Sequence, residues 1–328
     1  MKVLGILAAS VLIVGSLSAC SSPSAQSEEF QVVATTTQVT EFTRAVVGDT
    51  GTVTGLIQPN QSAHSFDPSA KQLLALSQAD AVVINGADLE PWITDALSAA
   101  NFTGEIIDAS TGIELLAAGE AEEDHAAHAG EEEHAHGEGD PHIWTSPLNA
   151  QMMVENIATG LEAVNPSDAM TMEANASSYT AQLASLNEWV IANFDQVPVD
   201  QRLLVTNHDA FTYFVSEYGI TFVGSIIPSF DDNAEPSAAE IDALIALIKQ
   251  SGARAVFSEA SISPKLATTI ASEAGVRVYS GDDALYSDSL GVTGSDGETY
   301  IKATIHNVTV LMTAWGYPVL PLPAELSS

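Results

Sequence analysis

Eight histidines stand in a chain of 328 residues that carries 43 acidic and 9 basic side chains, and they fall into two groups. Four of them, His125, His128, His134 and His136, crowd into the stretch 119–140, which holds nine Asp or Glu and no Lys or Arg. Three others share a different setting. His64 sits in Gln61-Ser62-Ala63-His64-Ser65-Phe66-Asp67-Pro68 and His208 in Asn207-His208-Asp209-Ala210-Phe211, both just past a β-rich run. His142 sits in Asp140-Pro141-His142-Ile143-Trp144, shortly before a helix start at Ser146-Pro147. Neutral imidazole is the commonest protein ligand for metals, and in open α/β sheets ligands bind beyond the carboxyl ends of the strands. The three histidines are dozens of residues apart and match no local motif such as HExxH. Spacing alone therefore leaves open whether they share one ion or occupy separate loops. His306 falls inside a helical stretch, where a packed or solvent-facing histidine is the simpler reading.

The elements that must position these residues alternate between strand and helix. A β-rich run at 31–36 leads into a helical pattern to residue 47, then a strand over 52–57, a helix over 69–78 and a short buried strand over 81–85. A helix over 89–99 and a strand over 105–107 follow, and the rhythm stops at the acidic loop 119–140. A helix opens at Pro147 and ends at Asn165-Pro166, which acts as a stop signal. From 168 to 194 runs a helical pattern with no Pro or Gly; at roughly 1.5 Å per residue it extends about 40 Å, long enough to connect two domains. The alternation then resumes, with strands over 203–206, 221–227, 255–258 and 276–279 and helices over 211–217, 237–250, 264–274 and 299–315. Such alternation predicts βα units around mainly parallel sheets. The expected fold class is α/β, with two Rossmann-like lobes at 30–166 and 198–328 and a connecting helix at 167–197.

Composition narrows the function. Hydrophobic residues make up 46% of the chain, enough for a folded core despite a net charge of -34. So few basic side chains leave nothing to neutralise phosphates, which excludes nucleic acid as a main partner. Residues 1–19 read as a secretory signal: Lys2, an uncharged run from Leu4, and the small residues Ser18 and Ala19 before Cys20. Leu17-Ser18-Ala19-Cys20 is similar to the lipobox of bacterial lipoproteins, in which the Cys carries lipid. Cys20 is the chain's single cysteine, so lipidation also accounts for an otherwise free thiol. Residues 20–29 have the composition of a flexible tether.

Four segments together carry a resemblance to a known family: His64-Ser65-Phe66-Asp67-Pro68, Asp140-Pro141-His142-Ile143-Trp144-Thr145-Ser146-Pro147, Asn207-His208-Asp209-Ala210-Phe211 and Tyr286-Ser287-Asp288-Ser289-Leu290-Gly291. They resemble the signature segments of the zinc and manganese solute-binding proteins of bacterial ABC transporters. The similarity runs in order over about residues 30 to 317 and includes Ser258-Glu259, Pro264-Lys265-Leu266 and His306-Asn307. It implies two α/β lobes joined by one long rigid helix, with the metal in the cleft between them. It also implies a ligand set of His64 and His142 from the first lobe with His208 and Asp288 from the second. The choice of Asp288 over Asp282, Asp283 and Asp296 rests on this resemblance.

Three imidazoles and one carboxylate suit Zn²⁺, whereas manganese members of the family place a Glu where His208 stands. Zinc is thus the expected cargo, with Mn²⁺ or Fe²⁺ in the same fold as the alternative. Asp67, Asp140 and Asp209 adjoin the ligands and could accept the remaining imidazole N–H groups; turn and helix-capping roles explain them equally. Glu259, at a strand end facing the cleft, has a solvated or capping role as its alternative. The loop histidines suit an auxiliary zinc-collecting role.

The expected protein is a monomeric extracytoplasmic receptor held at the membrane through Cys20. It delivers zinc to a permease driven by a separate ATPase, since the chain has no GxxxxGK[ST] loop of its own. A zinc hydrolase is a rival from another class, but neither a HExxH helix nor a nucleophile elbow is present. From the roughly 6.5 pKa of free histidine, protons are expected to compete with the metal below about pH 6.

Overall fold

The computed structural model describes residues 29–117 and 139–327. Its first half is a sheet of four parallel strands in the order β2-β1-β3-β4: β1 Gln31–Ala34, β2 Thr52–Gly55, β3 Ala81–Ile84 and β4 Glu105–Asp108. The central strand β3, Ala-Val-Val-Ile, is an uninterrupted apolar run because helices cover both faces of a parallel sheet. Successive side chains go to opposite faces. Val32, Ala34, Ala81 and Val83 join the core under α1 (Thr37–Val47) and α4 (Pro147–Val164). Val33 and Val82 join a separate cluster with Leu76 of α2 (Ala70–Gln78) and Ala96 of α3 (Ile93–Ala100).

Helix α3 starts four residues later than the sequence pattern predicts. Gly86, Ala87 and Asp88 all take positive φ, at 80°, 52° and 59°, so the chain loops before it can become helical. The buried Glu90 holds this loop. Its Oε1 accepts from the Thr35 hydroxyl at 2.5 Å and the Asn85 N–H at 2.7 Å, and its Oε2 from the Gly86 N–H at 3.2 Å. Burial outweighs these bonds and pushes the Glu90 carboxyl up to about 7. Glu90→Ala strands several buried donors and should destabilise the protein by about 3 kcal/mol in urea titration; a loss below about 1 kcal/mol would show that the loop does not depend on the carboxyl.

Helix α5, Ala169–Phe194, has 26 residues. Its first half meets the first half of the molecule: Asn175 Nδ2 donates to Val46 O at 3.0 Å and the Tyr179 hydroxyl to Glu41 Oε1 at 2.9 Å. Its second half meets the other: Asn187 Oδ1 accepts from the Tyr218 hydroxyl, and Phe194 packs edge-on against Phe214, Tyr218 and Trp315. An unbroken helix bonded along its length to both α/β lobes is a stiff connector.

The second lobe comprises β5 (Leu203–His208), α6 (Thr212–Tyr218), β6 (Thr221–Ile227), α7 (Ala238–Ser251), β7 (Ala255–Phe257), α8 (Lys265–Ala274), β8 (Arg277–Tyr279) and α9 (Tyr300–Trp315). Its strands form two parallel pairs, β5 with β6 and β7 with β8, instead of one continuous sheet. At the carboxyl ends of β5 and β7, side chains make the cross-connection. The Glu259 N–H donates to Asn207 Oδ1 at 3.2 Å, and the His208 N–H to Glu259 Oε1 at 2.9 Å. Among the described residues, no helix is long and apolar enough to cross a membrane.

Candidate metal centre

Each of four side chains reaches one point in the cleft from a different element. His208 is the last residue of β5. His142 follows Asp140-Pro141, whose Asp140 Oδ1 accepts the His142 N–H at 2.8 Å. The chain then makes one 3₁₀ turn, Ile143–Thr145, into α4, where Ser146 Oγ caps the Leu148 and Asn149 N–H groups and Pro147 takes the first helical position. His64 lies between β2 and α2; the Ser62 hydroxyl beside it donates to Asp232 Oδ1 across the cleft at 2.8 Å.

Asp288 lies between β8 and α9, on a segment pinned by the first lobe. Ser287 O accepts from Gln38 Nε2 at 2.8 Å and Trp144 Nε1 at 3.1 Å. The Leu290 N–H donates to Thr37 Oγ1 at 2.9 Å, and the Asn60 N–H to Ser289 Oγ at 2.8 Å.

The ligand-type atoms of His64, His142, His208 and Asp288 all lie within 4.8 Å of one another. His64 Nε2 is 3.3 Å from His142 Nε2 and 3.5 Å from Asp288 Oδ2. His142 Nε2 is 3.4 Å from Asp288 Oδ1, and His208 Nε2 is 3.1 Å from Asp288 Oδ2. A four-coordinate zinc with bonds of about 2.0 to 2.1 Å separates its ligands by about 3.3 Å, and these contacts, which involve both oxygens of Asp288, lie close to that spacing.

Two carboxylates stand behind the imidazoles. His142 Nδ1 lies 2.6 Å from Asp140 Oδ1, and His208 Nδ1 lies 2.7 Å from Glu259 Oε2. A ring whose Nδ1–H faces a carboxylate turns the lone pair of its Nε2 inward. Both oxygens of the buried Asp288 are turned toward imidazole nitrogens, Oδ1 toward His142 and Oδ2 toward His64 and His208, and buried polar atoms call for a partner. Two inward lone pairs and an anion are mutually repulsive unless a cation sits among them.

With only protons available, they play that part. Burial opposes charge on His142, but Asp140 and Asp288 outweigh it and raise its pKa to about 9. Burial likewise opposes charge on His208, and Asp288 and Glu259 raise its pKa well above the ordinary value. Burial acts against ionised Asp288, yet His208 and His142 hold it well below the usual carboxylate range.

Of the three acids expected to support the imidazoles, Asp140 contacts one and two do not. Asp67 is exposed, and no hydrogen bond or ion pair reaches it among the described residues. Asp209 lies just past the end of β5; it bonds Thr212 at the start of α6, and burial lifts its pKa to about 6. Glu259 is the acid that contacts His208 instead. The signal for it in sequence was its place just past β7, but only the packing of the end of β5 beside β7 selects it over a capping role. His306 is packed away from the cluster, with Nε2 2.9 Å from Ala284 O and its ring against Tyr286. Asp282, Asp283 and Asp296 are outside the cluster. Cys20, His125, His128, His134 and His136 lie outside the described residues.

Over residues 32–314 the chain matches the family described as zinc-uptake complex component A, periplasmic (ZnuA). The chain belongs to that family. Two curated relatives bracket this ZnuA-family chain. The zinc-binding lipoprotein AdcA of Streptococcus pneumoniae is 33% identical over 314 residues, covering 95% of this chain and 60% of the relative. The chain therefore spans about three fifths of the length of the AdcA proteins it matches. The manganese-binding lipoprotein MntA of Halalkalibacterium halodurans is 27% identical over 268 residues, 82% of each. Among solved structures, the periplasmic zinc-binding protein TroA of Treponema pallidum superposes with a TM-score of 0.76 at 24% identity, over 88% of this chain and 99% of that one. The Cd-bound periplasmic metal-binding protein of Candidatus Liberibacter asiaticus does so with a TM-score of 0.74 at 23% identity, over 87% of this chain and 100% of that one. Both place the ZnuA-family chain in the same two-lobed fold.

Proposed function

We propose that the chain is a zinc receptor of an ABC importer: it captures one Zn²⁺ in the cluster of His64, His142, His208 and Asp288 and passes it to a membrane permease driven by a separate ATPase. The single observation that carries this reading is the inward-facing His₃Asp cluster, with two imidazoles in contact with buried carboxylates and both Asp288 oxygens turned toward the three ring nitrogens. Three nitrogen donors favour zinc over manganese, which prefers oxygen, and the AdcA relatives named for zinc share more identity than the MntA relative named for manganese. Four protein donors close a tetrahedral ion, whereas a hydrolytic zinc keeps an open position for water; this favours a receptor over a hydrolase. The receptor works outside the cytoplasmic membrane, anchored by lipid on Cys20. His125, His128, His134 and His136 collect zinc loosely and are dispensable for the tight site.

Metal analysis of the protein purified without residues 1–19 tests the assignment. One zinc per chain, placed among the four side chains by anomalous scattering at the zinc edge, is the expected result. An ion elsewhere, or manganese retained in preference to zinc, overturns it. Deleting residues 120–138 should leave that tight ion in place and remove only weaker additional ones, because the deleted span holds none of the four ligands. Calorimetry of a folded deletion variant with no tight ion would show that the primary site had been misplaced.

A further inference from the structure

Glu259 joins two ligand-bearing segments that the backbone leaves separate. It is 1% exposed, next to His208 at 0% and Asp288 at 1%. Its Oε1 accepts the His208 N–H at 2.9 Å, and its Oε2 lies 2.7 Å from His208 Nδ1. The same Oε2 accepts a short hydrogen bond from the hydroxyl of Ser287, the residue before Asp288. Its own N–H is anchored on Asn207 Oδ1 at 3.2 Å, and its backbone pairs with Leu285. One carboxylate thus grips the end of β5 and the segment before α9 together.

We infer that Glu259 is the positioning residue that sets metal preference at this site, by fixing His208 as a nitrogen donor through Nε2 while holding Asp288 at its distance. The inference rests on the zinc-capture reading and adds to it the side chain that decides which ion is favoured. A proton held on Nδ1, beside Glu259 Oε2, leaves the Nε2 lone pair for the ion. In the other tautomer an Nε2–H would point at Asp288, and the cluster would offer two nitrogens and one carboxylate. Loss of an imidazole costs zinc far more than manganese, because manganese is suited to oxygen ligands. Asp140 orients His142 in the same way but touches no second ligand segment, so the coupling of nitrogen donor to carboxylate belongs to Glu259 alone among the described residues.

Glu259→Gln keeps the shape and the acceptor for the His208 backbone N–H, but its amide NH₂ beside Nδ1 favours the wrong tautomer. Chelator competition with Zn²⁺ alone and with Mn²⁺ alone, on the full chain and on this variant, reads the effect. Zinc affinity should fall about 10- to 100-fold, and manganese affinity by less than about threefold, so the preference narrows. Equal losses for both ions, which a merely structural role would give, or an unchanged zinc affinity, would overturn the inference. Should the variant not fold, ¹⁵N NMR of the unmutated zinc-loaded protein decides: coordination through Nε2 with a proton on Nδ1 supports the inference, and coordination through Nδ1 overturns it. An unmutated chain that takes up no zinc at all would instead be a failure of the receptor reading.

Discussion

Replacing His142 with alanine should lower zinc affinity by more than about a hundredfold, roughly 2.7 kcal/mol or more. Losing a group that merely supports a ligand costs about 10- to 100-fold, so losing a ligand costs more. His142 is the severest case for two reasons. It is fully buried, so no water readily takes its place. Its removal also leaves Asp140 buried beside a void without the imidazole that lies 2.6 Å away, a large penalty for an ionised group. His64→Ala should be milder, since the His64 side chain is 10% exposed and lines an open cavity of about 710 Å³, where a water can serve as substitute ligand. A competition titration in which His142→Ala binds zinc as tightly as the unmutated protein would remove His142 from the site. One in which His64→Ala is the worse of the two would contradict the burial argument.

The second large effect is on pH. Zinc and protons compete for the same lone pairs, so affinity must fall as pH falls wherever the metal-free cluster holds protons. Free-histidine values place that competition below about pH 6. The structure moves it upward: burial is overcome by Asp140 and Asp288, which hold His142 near 9, and His208 is raised as well. Zinc therefore displaces up to two protons at neutral pH, and affinity should drop by more than tenfold per unit between about pH 8 and pH 6. Calorimetry in buffers of different ionisation enthalpy reads the displaced protons directly. A flat affinity across this window would mean that the imidazoles are already neutral and that the carboxylates do not act on them as the geometry requires. In the metal-free protein the same raised pKa favours folding below the unfolded value of about 6.5, and that contribution is lost as pH rises through about 9.

Much of this was readable from residue order. The α/β alternation, the 26-residue helix and the strand-end placement of His208 follow from periodicity, capping and turn residues, which act locally, whereas His64 lies well past Gly55, the end of β2. The convergence of the histidines was not local, and Asp288 was singled out by its Ser-Asp-Ser-Leu-Gly context rather than by any property of an aspartate. The supporting acids divide on the same ground. Asp140 acts on a residue two positions away and was within reach of sequence reasoning. Asp209 bonds Thr212 at the start of α6 instead, and Glu259 gained a role because the ends of β5 and β7 lie side by side, a packing that no spacing encodes.

The segment carrying Asp288 works as a strap. Thr37, Gln38, Asn60 and Trp144 hold it from one side, while Glu259 and Asn307 hold it from the other. Parting the two halves like the covers of a book would tear one of these rows, at about 1 kcal/mol net for each bond. Turning the His64 side chain toward its open cavity breaks none of them. That one side chain can therefore swing between cluster and cavity while every bond of the strap stays in place.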